Sequence, residues 1–136
     1  MEITVTDNDY SMDDFLNCGF AEYGETQGIH TEIQLKMIKA EQDGQVIGVL
    51  TFVVLYGNIY IDDLFIKPEY RRRGIGKQLL NKVEEYGRDA GVKLISLNTF
   101  RFQAPVFYEK CGYQLEYLRK DMENDKLDRY YFCKYL

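Results

Sequence analysis

A chain of 136 residues is long enough for one domain and short for two, and at that size a core forms without a disulfide staple or a metal. With 46% hydrophobic and 29% charged residues the chain has an ordinary globular mix, which excludes disorder, collagen and coiled coil as whole-chain descriptions. The formal net charge of −5 argues against a general nucleic-acid binder and for a cationic small partner.

Taken in chain order, residues 2–6 alternate around Ile3 and Val5 and predict a short first strand. Asn8 or Asp9 is placed to cap a helix in which Met12, Phe15, Leu16 and Phe20 recur every three to four residues. Gly24 and Gly28 bracket a loop reaching to residue 31. From Glu32 the pattern turns to strand: Ile33, Leu35 and Met37 alternate with Gln34 and Lys36, and Gln42-Asp43-Gly44 is a turn. Val46 to Tyr56 reads as a largely buried strand, too short and too interrupted to span a bilayer. Gly57-Asn58 turns the chain into the next strand, Asn58 to Ile66, which Pro68 ends. Gly76 to Ala90 then reads as an amphipathic helix with Leu79, Val83 and Tyr86 on one face, stopped by Gly91. Lys93 to Leu97 is a strand, Ala104 to Lys110 a short helix stopped by Gly112. Tyr113 to Leu118 and Arg129 to Tyr135 form a closing hairpin joined by the polar segment Lys120 to Asp128. One domain over 1–136 is expected, and its fold class is α/β. A strand-helix-strand crossover implies a central parallel pair inside a mostly antiparallel sheet with helices on its faces.

The opening residues show no targeting signal. Three cysteines (Cys18, Cys111, Cys133) with no CxxC spacing indicate neither a disulfide framework nor a zinc site, so a reduced, cytosolic protein is expected. His30, the only histidine, cannot build a metal site with others, and no metal is expected. Cys111 is read as a buried thiol rather than a nucleophile.

The charge is unevenly spread. Lys67, Arg71, Arg72, Arg73 and Lys77 against Glu69 give residues 67–77 a local charge of +4 in an acidic protein. Arg71-Arg72-Arg73-Gly74-Ile75-Gly76-Lys77 lies between a strand end and a helix start. Glycines there let the backbone turn tightly and converge its amides, and the helix start adds partial positive charge, so the run suits a diphosphate. It is neither a P-loop, since Gln78 follows Lys77, nor a dinucleotide fingerprint, since Leu79 stands where the third glycine belongs.

The run Ile66 to Leu80 resembles the acetyl-CoA pyrophosphate loop of the GNAT superfamily of N-acetyltransferases, with Arg71, Gly74 and Gly76 on the pattern positions. A second block, Ala104 to Tyr113, resembles that family's C-terminal helix motif, and the order of elements is similar to its fold. The resemblance implies acetyl-CoA as co-substrate, its pantetheine pairing with Leu64-Phe65-Ile66 like an added strand. It also implies amides from Arg72 to Lys77 (Arg72, Arg73, Gly74, Ile75, Gly76 and Lys77) around the pyrophosphate. The backbone amide of Leu64 is expected to polarise the thioester carbonyl, and such a preorganised donor lowers a barrier by about 3 kcal/mol. Tyr108 stands where the family places the tyrosine that protonates the leaving thiolate. A phenol of pKa about 10 can donate to a thiolate of pKa about 8.5. Where many members carry a cofactor-contacting Asn, seven residues before the tyrosine, this chain has Arg101, with Asn98 three residues earlier.

Asp62 and Asp63 are the candidate acceptor-binding pair. Adjacent strand residues point to opposite faces, so one of them faces the site unless a bulge intervenes. Some polyamine-acetylating members resemble this stretch with a carboxylate at Asp62. An Asp near pKa 3.9 and an alkylammonium near 10 are mismatched by about six units for direct proton abstraction, so Asp62 is read as binding the ammonium and relaying its proton through water. The expectation is an enzyme that acetylates a small cationic amine, working neither at a membrane nor on nucleic acid. A CoA-binding module that does not turn over is the rival, and it would need neither Tyr108 nor Asp62. Family members often dimerise through C-terminal strands, and the aromatics from Tyr130 to Tyr135 suit either a core or a homodimer seam.

Overall fold

Six strands hydrogen-bond into one sheet: β1 (Gln34–Gln42), β2 (Gln45–Leu55), β3 (Asn58–Ile66), β4 (Leu94–Phe100), β5 (Gln114–Arg119) and β6 (Arg129–Tyr135). Their spatial order is β1-β2-β3-β4-β6-β5, antiparallel throughout except between β3 and β4. The connection from β3 to β4 runs through helix α2 (Ile75–Asp89), the crossover that a parallel pair requires. A six-residue helix, α3 (Pro105–Lys110), follows β4. This is the mixed, mostly antiparallel α/β sheet expected from the sequence.

The computed structural model describes residues 1–30 and 32–136 and divides into two compact units, Met1–Ile33 and Gln34–Leu136. The sheet, α2 and α3 belong to the second. In the first, the expected strand over 2–6 is absent. Two apolar side chains, Ile3 and Val5, give so short a segment little to bury, and no ladder pairs its backbone. Asn8 and Asp9 do not cap the helix either. Asn8 Oδ1 accepts the Tyr10 N–H at 2.8 Å and Asp9 Oδ1 accepts the Ser11 N–H at 3.0 Å, turns that delay helix α1 to Asp13–Thr26. Of the expected loop ending at residue 31, Thr31 lies outside the described residues. His30 contacts Glu25 Oε1 through Nδ1 at 2.9 Å.

Alternation sorts the sheet residues onto two faces. Leu50, Phe52, Ile59, Ile61, Ile95, Leu97 and Phe132 form the core with Leu79, Leu80 and Val83 of α2 and Tyr108 of α3. On β1 the alternation runs opposite to expectation. Ile38 and Ala40 pack on the core while Leu35 and Met37 are exposed. The reason is the Tyr86 ring, which takes the Lys36 ammonium over its face at 5.5 Å and the Gln34 side chain at its hydroxyl.

Two features of β3 position the site. Its parallel ladder to β4 has only three register pairs, Asn58–Leu94, Ile59–Ile95 and Tyr60–Ser96, and beyond Tyr60 the strands part. Its register to β2 shifts between Thr51–Asp63 and Phe52–Ile61, so Asp62 is an extra, unpaired residue. The bulge changes the side-chain parity: Ile59 and Ile61 before it and Leu64 and Ile66 after it all face the core.

The opened part of β3 is seated closely. A Cβ on Gly48 would lie 2.6 Å from Ile66 Cδ1 and 3.3 Å from the Phe65 carbonyl oxygen. Gly48→Ala is therefore expected to lower stability by about 1–3 kcal/mol through overpacking, read from urea denaturation. Adding Ile66→Val, which removes the contacting methyl, should recover part of that loss.

Candidate functional site

The site is built on the strand edge that β3 exposes once β4 has left it. Lys67 N–H donates to the Ile47 carbonyl of β2 at 2.9 Å. By the alternation of an antiparallel ladder, Phe65 likewise turns its amide to β2, and Leu64 and Ile66 turn theirs away, into the opening. Of the three predicted pairing residues, Leu64 thus presents free backbone, Ile66 a free N–H, and Phe65 neither. The Ile66 carbonyl is occupied by Arg71, whose Nε donates to it at 2.8 Å while its guanidinium lies 5.4 Å from the Phe65 ring centroid.

The chain then enters a short 3₁₀ turn, Pro68–Tyr70, and the predicted anion loop. Arg72 takes a left-handed φ of 61° and Gly74 one of 78°, which turns the backbone into the start of α2. The Arg71 N–H bonds to the Pro68 carbonyl and the Gln78 N–H to the Gly74 carbonyl. Between them the amides of Arg72, Arg73, Gly74, Ile75, Gly76 and Lys77 have no acceptor among the described residues. A fifteen-residue helix adds its positive end to that cluster. The arginines are unequal. Arg71 is committed to the strand end, Arg73 lies over the Tyr70 ring at 5.2 Å, and Arg72 holds the strained backbone position. Gly76 leaves room for Phe107, since a Cβ there would lie 3.1 Å from its ring and press on it. Phe107 of α3 thus packs directly beneath the loop.

Tyr108 sits next to it, only 7% exposed, with Tyr113 at 5.9 Å and Phe132 at 6.1 Å between ring centroids. Burial pushes its phenol up to about 12, and Cys111 contributes. The hydroxyl therefore holds its proton across the working range. The same burial raises the Cys111 thiol, so this pocket disfavours thiolates as well as phenolates.

On the face opposite α2, the bulge brings Tyr60, Asp62, Asp63 and Phe65 to one side. Both carboxylates therefore share a face, the exception that strict alternation leaves open. Thr51 Oγ1 donates to Asp63 Oδ2 at 3.2 Å. Asp62 is raised above the usual carboxylate range by partial burial and then by the neighbouring Asp63 charge. Asn98 reaches across the mouth of the opening and bonds to the Tyr60 hydroxyl at 2.5 Å. Arg101 instead turns to the β5–β6 connection, with Nη1 3.3 Å from Asp125 Oδ2 and 3.8 Å from Asp128 Oδ2. Asp128 is fully buried and also accepts the Asp121 N–H at 2.8 Å.

Sequence reading missed Tyr60, although its two-residue spacing from Asp62 puts it on the same face. It also missed Asp128 and the ion pair of buried Glu84 with partly exposed Lys134, for which no local pattern exists. Among the described residues no group of three His, Cys, Asp or Glu side chains is placed for a metal, and no helix is long and apolar enough to cross a membrane. Along β6, Phe132 and Cys133 are buried while Tyr135 is exposed.

A sequence profile described as the Acetyltransferase (GNAT) family matches residues 3–113. A thialysine N-epsilon-acetyltransferase from Bos taurus is 37% identical over 59 residues, 42% of this chain and 35% of that protein, so the likeness spans about a third of that relative's length. Among solved structures, an acetyltransferase from Bacillus cereus superposes with a TM-score of 0.79 at 23% identity, covering 98% of both chains. A Thermoplasma acidophilum N-acetyltransferase in complex with coenzyme A superposes with a TM-score of 0.63 at 20% identity, covering 96% of this chain and 80% of that one. At those identities the likeness is one of fold.

Gly74 carries the left-handed turn that converges the loop amides. Gly74→Ala is expected to strain that turn by about 1–2 kcal/mol and to weaken acetyl-CoA binding by about tenfold, measured calorimetrically. Gly74→Asn should lose less, because Asn tolerates a positive φ.

Proposed function

The chain belongs to the acetyltransferase (GNAT) family, and on that premise we propose that it transfers the acetyl group of acetyl-CoA to the primary amine of a small cationic acceptor in a ternary complex. The observation that carries this reading is the free edge of β3 running straight into six unpaired amides at the start of α2. An extended amide-bearing chain ending in a diphosphate has the shape and charge to use both at once. Residues 64 and 66 offer it strand pairing, and the amides from Arg72 to Lys77 offer donors to its phosphates. Lys77 and the side chains of Arg72 and Arg73 add cationic charge around them.

Within that arrangement the Leu64 amide is the donor to the thioester carbonyl, where negative charge gathers as the amine attacks. Tyr108 supplies the proton for the departing thiolate. A phenol at about 12 facing a thiolate at about 8.5 would give up its proton only uphill. Burial of the sulfur in the same pocket narrows that gap, as it does for Cys111. Asp62 and Asp63 hold the acceptor's ammonium on the opposite face. Asp62, though raised, stays far below an alkylammonium, so the proton leaves through water before attack. The thialysine enzyme's name, which gives an ε-amine as its acceptor, supports a flexible primary alkylamine. Three free thiols suit a reducing compartment such as the cytosol.

Calorimetric titration with acetyl-CoA, followed by thiol release with spermidine, thialysine, an aminoglycoside and a short peptide, tests the reading. Micromolar binding with release for at least one amine is expected. No binding at millimolar acetyl-CoA would overturn it, and binding without release would leave a silent CoA-binding module. Tyr108→Phe should lower kcat by about a hundredfold with acetyl-CoA affinity nearly unchanged. Asp62→Asn should raise KM for the amine by about tenfold without changing acetyl-CoA affinity. Because only the ionised carboxylate attracts an ammonium, kcat/KM for the amine should fall as pH drops through the raised Asp62 pKa. That acid limb should shrink in Asp62→Asn.

A further inference from the structure

The mechanism leaves the buried carboxylate of Glu84 without a use. Glu84 is 5% exposed on the core side of α2, where it pairs with the ammonium of Lys134 from β6. Taking the Glu84 charge almost wholly out of water, and Lys134 partly so, is costly, and a pair of apolar residues would serve the packing at least as well. The position of the pair suggests what it does. Lys134 Nζ also donates to the Cys111 carbonyl at 3.1 Å, the residue that closes α3. It lies 5.5 Å from the centroid of the Tyr113 ring. One ammonium therefore holds α2 through Glu84, and holds the end of α3 through a carbonyl and an aromatic face.

Both of the latter groups touch Tyr108. The Cys111 and Tyr113 amides donate to the Tyr108 carbonyl at 3.1 and 3.0 Å, and the Tyr113 ring packs edge-on against the Tyr108 ring. At its other end, α2 carries the unpaired amides. Six residues of α3 are too few to hold an orientation by their own hydrogen bonds, so the phenol depends on what grips the helix.

We propose that Lys134 and Glu84 are positioning residues for the Tyr108 hydroxyl. They fix α3 against α2 so that the proton donor and the diphosphate-holding turn keep one relative geometry. The proposal rests on the reading of Tyr108 as the acid and of the α2 turn as the diphosphate site. It adds a residue pair that neither reading requires.

The test is a cycle of Lys134→Met and Tyr108→Phe, assayed by thiol release with the panel amine of highest kcat/KM. Lys134→Met is expected to lower kcat by about tenfold while KM for acetyl-CoA stays within twofold, since a misplaced group costs rate more than binding. In the presence of Tyr108→Phe the same change should cost nothing further. Lys134→Arg, which keeps a charged donor, should restore most of the rate. An equal loss with and without Tyr108→Phe would mean a merely structural role and overturn the proposal, as would an unchanged kcat in Lys134→Met. If Tyr108→Phe alone turned over at the parent rate, the acid assignment would fall and take the coupling with it. A slow Tyr108→Phe beside an unaffected Lys134→Met would remove the coupling alone. Should Lys134→Met not fold because Glu84 is left unpaired, Glu84→Gln combined with Lys134→Met removes both charges and is read by the same criteria.

Discussion

The separation of β3 from β4 after Tyr60 governs everything else in this site. A parallel pair that stays in register for only three residues leaves the rest of β3 with one hydrogen-bonding edge unmet. In a folded protein such backbone groups are seldom left without a partner, so a half-paired central strand marks a place for an incoming chain. The opening lies beside the start of the crossover helix, because the same connection that makes the pair parallel must begin at the end of β3. Strand edge and helix start are adjacent by topology, and an extended molecule with an anionic end meets both.

The bulge at Asp62 is the second device, and it acts on side chains. Without it, Asp62 and Asp63 would straddle the sheet and one carboxylate would enter the core. With it, Ile61 and Leu64 both keep the core face and the two acids come to the same side as Tyr60. The cost is one lost ladder contact, and the gain is a doubly acidic surface on the sheet face away from α2.

Electrostatics divide the molecule in the same sense. Five of the seventeen lysines and arginines gather between residues 67 and 77 of an acidic chain, and within that loop the arginines differ. Arg71 fastens the Ile66 carbonyl and closes the strand, so its pattern position serves the architecture as directly as any ligand. Arg101 is bound to the acidic β5–β6 connection around Asp128, and Asn98 bridges to Tyr60 across the opening. Asn98 within β4 thus ties the wall of the opening to Tyr60, while Arg101 just after it fastens the β5–β6 connection.

Local patterns in the chain were enough to specify most of this. The apolar run from Val46 to Tyr56 and the turns at Gly44 and Gly57 marked β2 and β3, helical spacing marked α2 within a residue of each end, and Gly74 and Gly76 marked the turn whose amides are unpaired. These are effects of neighbours in sequence, where glycine conformation, strand parity and helix period act over a few residues. The strand expected at 2–6 failed because a strand needs a ladder partner as well as a pattern. The inverted face of β1 followed from the Tyr86 ring, fifty residues away. The bulge, the parting of β3 and β4, the Glu84–Lys134 pair and the burial that raises Tyr108 were decided by tertiary structure alone. Each depends on which remote residue arrives opposite, and hydrogen-bond register, desolvation and ion pairing exist only once the chain has folded back on itself.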